Sequence, residues 1–75
     1  MSRWLATLLL ATKASRVLAA LQRIGWSVKR QVSSHKTLER IGWTDYVFAF
    51  HDGDEVGSKM LARIAKHTGL EPSNL

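Results

Sequence analysis

The apolar residues change period at Gly25, and that change constrains the fold of this chain more than any other feature of its sequence. Before it, Val17, Leu18, Leu21 and Ile24 recur at helical spacing, with Arg16, Gln22 and Arg23 off the stripe. After it, Trp26, Val28, Arg30 and Val32 alternate with Ser27, Lys29 and Gln31, the two-residue period of a half-buried strand. Glycine at the junction ends the helix, and Thr12 or Ser15 is placed to cap its start.

Turn signals divide the rest of the chain. Ser33-Ser34 reverses its direction, so His35 to Arg40 pairs back as a second strand, and Ile41-Gly42-Trp43-Thr44 supplies the next reversal. Tyr46 to His51 is the third strand. Its Tyr, Val, Phe, Ala, Phe run is the most strand-prone in the chain and is expected at the centre or best-packed part of the sheet. Asp52-Gly53-Asp54 turns the chain again. Ser58 is expected to cap a last helix with Met60, Leu61, Ile64 and Ala65 as its stripe, closed by Gly69 with Leu70 folded back. The expected class is α+β: a helix, a three-stranded antiparallel sheet and a helix, with both helices on one sheet face.

Seventy-five residues make one domain with a thin core. The expected division is an N-terminal extension over residues 1–13 and a single domain over 14–75. The apolar run from Trp4 to Ala11 is too short to span a membrane, which takes about 20 residues. One Arg precedes it and Lys13 follows at the would-be cleavage site, so an extra helical turn or a frayed extension is expected rather than a signal peptide. The absence of cysteine excludes disulfides and thiolate metal sites and fits a cytoplasmic protein.

Charge divides unevenly along the chain. Residues 1–38 carry seven Lys and Arg and no acid, whereas the remainder carries four basic and six acidic residues, so the net +5 is +7 in front and −2 behind. Such asymmetry points to a polyanionic partner, either nucleic acid or an acidic protein, against the plainer reading of solvated charge kept for solubility. Within the basic half, Arg30-Gln31-Val32-Ser33-Ser34-His35-Lys36-Thr37 places an imidazole and hydroxyls between cations at a turn. Cations hold phosphate and an imidazole moves protons near neutral pH, which are the two requirements for binding and breaking RNA.

An opening helix ending in Gly25-Trp26, a strand ending in Arg30-Gln31, then Ser34-His35, a strand ending in His51, and a last helix ending in Gly69-Leu70 together resemble the HicA (YcfA-like) toxins. The resemblance covers roughly Ala14 to Leu70, and Phe48-Ala49-Phe50-His51-Asp52-Gly53 is similar to one branch of the family. It implies a fold similar to the double-stranded-RNA-binding domain, an mRNA interferase that cuts RNA without metal or other cofactor, and a cognate HicB antitoxin that blocks the active site. The family's essential histidine, in a Gly-Ser-His motif, falls on His35. Ser33 replaces the usual Gly, and Lys36 stands where many members have a second histidine.

The chemistry expected is attack by a ribose 2′-hydroxyl, with His35 as general acid or base and Lys29, Arg30, Ser34 and Lys36 binding RNA. His51, Tyr46, Lys36 and water are candidates for the second proton step. Without the resemblance, the residues around His35 favour a turn histidine bonded to a backbone carbonyl; the resemblance reverses that preference. His51 is expected to order the turn that Asp52 begins, and His67 to complement a helix dipole. Trp26 is expected in the core, and Trp43 is the better candidate to meet RNA or a partner. The acidic run from Asp52 to Glu55 lacks calcium-loop spacing, and no zinc spacing is present. The alternatives are a non-catalytic RNA-binding module, an inactive toxin homologue acting through protein partners, and an interaction protein for an acidic chain.

Overall fold

A computed structural model describes residues 11–75. The expectations for the run beginning at Trp4 therefore lie almost wholly outside the described residues. The elements are β1 (Thr12–Lys13), α1 (Ala14–Arg23), β2 (Ser27–Val32), β3 (His35–Glu39), β4 (Tyr46–Ala49), β5 (Glu55–Val56), α2 (Ser58–Thr68) and a closing 3-10 turn (Pro72–Asn74). Strands β2, β3 and β4 form an antiparallel meander, and β1 pairs with β5 in a separate two-stranded ladder. The α+β class and the order helix, three-stranded sheet, helix agree with the sequence pattern; the β1–β5 ladder is additional.

One core unites the layers. Val17, Ala20 and Leu21 of α1 and Leu61 and Ile64 of α2 are buried together with Leu38 of β3 and Phe48 of β4. Thr68 completes the α2 stripe, seven residues after Leu61, whereas Met60, assigned to that stripe from sequence, is exposed. Thr68 tolerates burial because its hydroxyl donates to the Ile64 carbonyl at 2.7 Å and accepts from the Leu70 amide at 3.3 Å. Trp26 fastens this corner by donating its indole N–H to the Thr68 carbonyl at 3.0 Å. Gly69 ends α2 in the left-handed region at φ 75°, where a Cβ would come 2.9 Å from Trp43 Cη2. Here glycine serves both the cap and the close approach of the ring.

Three expectations about the sheet are corrected. Strand β2 is exposed along its whole length rather than half-buried, because the sheet's share of the core is built on Leu38 of β3 and Phe48 of β4. The central strand is β3, not the more strand-prone β4, because consecutive hairpins place the middle strand of a meander between the others. The alternation of β2 also breaks. Val28 pairs with Leu38 and Arg30 with Thr37, leaving Lys29 as the extra residue of a bulge, so Arg30 takes the face opposite Val28.

The helix starts also differ. Neither Thr12 nor Ser15 caps α1; Thr12 lies in β1, and the amides of Ala14 and Ser15 donate to the carbonyls of Asp54 and Asp52 at 2.8 and 3.1 Å. Ser58 is the first residue inside α2 rather than its cap; Gly57 holds the cap position and its carbonyl accepts from the Leu61 amide. Among the described residues, no helix is long and apolar enough to cross a membrane.

Candidate nucleic-acid interface and active site

The register of the meander sorts the candidate residues onto two faces. Lys36 pairs with Phe48 and Leu38 with Tyr46, so these four share the face covered by the helices. His35 pairs with Val32 on one side and Ala49 on the other, and Thr37 pairs with Arg30 and Val47, so these six share the face that neither helix covers. His35 is exposed at the first position of the central strand, with Arg30 diagonally across from it. Val32 and Val47, 66% and 51% exposed, flank the two polar groups. The open face thus offers an accessible imidazole, a guanidinium and a hydroxyl on an apolar floor.

The turn that presents His35 is strained at Ser33, the position where the resembled family has glycine. Ser33 has φ 56°, and it is the single non-glycine with positive φ among the described residues. With Ser33 and Ser34 as the two loop residues between the paired Val32 and His35, positive φ at the first of them matches a type II′ hairpin, for which glycine is preferred. A left-handed serine costs about 1–2 kcal/mol. Ser33→Gly is therefore expected to stabilise the fold by about 1 kcal/mol, raising the melting temperature by roughly 4–8 °C in a thermal melt. An unchanged or lower melting temperature would show that the Gln31 side chain, which donates to the Ser33 carbonyl at 3.1 Å, already absorbs the strain.

Ser34, Lys36 and His51 meet elsewhere. With Gln31, Ser33, Phe50 and Asp52 they line a pocket of about 230 Å³ at the hairpin end of the sheet. The His51 turn is ordered through its backbone: the His51 amide donates to Asp54 Oδ2 at 2.9 Å, and the Asp54 amide donates to the His51 carbonyl at 3.0 Å. Sequence reasoning treated Gln31 only as a member of the strand pattern; the bulge at Lys29, which sets its register opposite Lys36, leaves no mark in the residue pattern.

Two candidates lie away from both places. Lys29 donates to Asp45 Oδ2 at 3.0 Å, an exposed pair near the far end of β3. Trp43, 41% exposed, packs edge-on against Trp26 at 5.9 Å with the Arg40 guanidinium 5.2 Å from its ring centre. Its main role in the structure is packing, at the end of β3 opposite His35. Tyr46, on the helix side, stacks on His67 at 5.8 Å, and burial raises its phenol pKa above the ordinary value. Among the described residues, no group of three or more His, Cys, Asp or Glu side chains is placed to hold a metal ion.

No curated protein and no solved structure matches the chain. The family model described as HicA toxin of bacterial toxin-antitoxin matches residues 14–70, from the first residue of α1 to the buried Leu70 that comes after α2. The match covers most of the chain and every element from α1 to α2, so this protein belongs to the HicA toxin family, the toxin member of a toxin–antitoxin pair whose partner is an antitoxin.

Proposed function

We propose that this toxin is a metal-independent mRNA endoribonuclease acting in the cytoplasm, with His35 as its general acid or base. The observation that carries the reading is the placement of His35 on the open sheet face, exposed and diagonal to Arg30. Arg30 holds the scissile phosphate and stabilises the charge that grows on it, while His35 takes the 2′-hydroxyl proton or protonates the leaving 5′-oxygen. The exposed Val32 and Val47 give unpaired bases an apolar surface beside the cut. The partner protein is a HicB-type antitoxin that covers this face.

The second proton step falls to water, because His51 lines the pocket that holds Lys36 rather than the face of His35. Tyr46 is ill suited to act as base, because it lies on the helix-covered face and burial keeps its phenol protonated at neutral pH. Lys36 shares that covered face, so it does not stand beside His35 on the scissile group. Lys29, tied to Asp45, adds to the positive field that draws RNA in.

The strained Ser33 favours one alternative, a weakened toxin homologue or non-catalytic RNA-binding module. Induced expression separates the readings. Growth arrest with RNA breakdown supports the ribonuclease; RNA binding without breakdown by the folded protein supports the module.

A further inference from the structure

The pocket at the hairpin end places a cation among polar side chains. Lys36 extends into it with a side chain only 12% exposed, its stem beside Phe48 on the covered face. Its ion-pair partner among the described residues is Asp52, whose Oδ1 stands 4.0 Å from Nζ and whose side chain is 78% exposed. A pair this long, with one member so open to water, holds the ammonium weakly. Gln31, Ser33, Ser34, His51 and Phe50 line the pocket with it. A nearly buried cation beside hydroxyl and amide donors is the chemistry that takes a phosphate oxygen. The cavity, about 230 Å³, exceeds what that group alone needs.

We propose that this pocket binds a backbone phosphate of the RNA strand distinct from the one cut at His35, and that Asp52 is a built-in competitor which the phosphate displaces. The assignment rests on the ribonuclease reading for its choice of RNA. His35 and Lys36 are adjacent in sequence but point to opposite faces of β3, so they cannot hold the same phosphate. A single strand passing over the Ser33-Ser34 turn meets both, one on each side. The hairpin end then acts as a saddle that fixes which linkage lies against His35.

The test is the affinity of a short mixed-sequence single-stranded RNA, measured over a salt series in a His35→Ala background that does not cut it. Lys36→Met keeps the buried stem and removes the charge. It is expected to weaken binding roughly tenfold and to reduce the slope of log K against log salt by about 0.7, the share of one single-strand phosphate. Asp52→Asn is expected to tighten binding by about two- to fivefold. Unchanged affinity and slope in Lys36→Met, with a folded protein by circular dichroism, would overturn the site, and so would weaker binding in Asp52→Asn. Inorganic phosphate binding as tightly as the oligonucleotide would overturn its assignment to an RNA strand. The two readings fail separately: His35-dependent cleavage with a silent Lys36→Met leaves the ribonuclease without this subsite, whereas a Lys36-dependent slope without cleavage by the parent leaves the subsite on a binding module.

Discussion

His35→Ala is expected to lower the rate of RNA cleavage by about 10²- to 10⁴-fold, the usual contribution of a positioned proton-transfer group. The imidazole is exposed, and among the described residues no hydrogen bond or ion pair ties it to the fold. Its removal is therefore expected to leave the melting temperature nearly unchanged, since exposed substitutions of this kind fall within about 0.5 kcal/mol. Initial cleavage rates on an end-labelled RNA, taken with a thermal melt of each protein, separate lost chemistry from lost fold. Arg30→Ala on the same face is expected to weaken both RNA affinity and turnover, because it removes charge from the reacting phosphate. Cleavage by His35→Ala at the parent rate would move the proton transfer to another group.

Trp26→Ala is expected to destabilise the fold by about 3–5 kcal/mol, as for other buried aromatics cut to alanine. A domain of this length has roughly 4–11 kcal/mol to lose. Trp26 is 2% exposed, its indole N–H holds the carbonyl of Thr68, and its ring supports Trp43, which packs against Gly69. One substitution thus opens the junction between α2 and the sheet. Chemical denaturation followed by circular dichroism measures the loss. Trp26→Phe, which keeps an aromatic ring and removes the N–H, is expected to cost less than Trp26→Ala. A cost below about 1 kcal/mol for Trp26→Ala would show that the core closes around the void.

Much of the fold was legible in the residue pattern because the elements are short and bounded by strong breakers. Gly25, Ser33-Ser34, Gly42 and Gly69 mark four boundaries, and the periods between them name the elements. What escaped the pattern depends on partners distant in sequence. The capping of α1 uses backbone carbonyls, to which residue type is nearly irrelevant, so the hydroxyls of Thr12 and Ser15 pointed to a cap that does not form. The exposure of β2 depends on where the helices lie over the sheet, which pack on Leu38 and Phe48, and strand propensity does not encode that placement. At the site, the residue types from Arg30 to Lys36 suggested the chemistry proposed, whereas the bulge at Lys29 decides which of them share a face.

The two amides at the start of α1 are answered from the turn between β4 and β5, far along the chain. The first amides of this helix are answered only when the β4–β5 turn is folded against it: when residues 14–23 leave the ribosome, the residues that supply those carbonyls have still to emerge. The N-terminal segment thus stays unfinished until nearly the whole domain is available, and its formation is tied to closure of the β1–β5 ladder. Hydrogen exchange at Ala14 and Ser15 is accordingly expected to track global unfolding, although both sit at a helix end, where fraying would ordinarily make exchange fast.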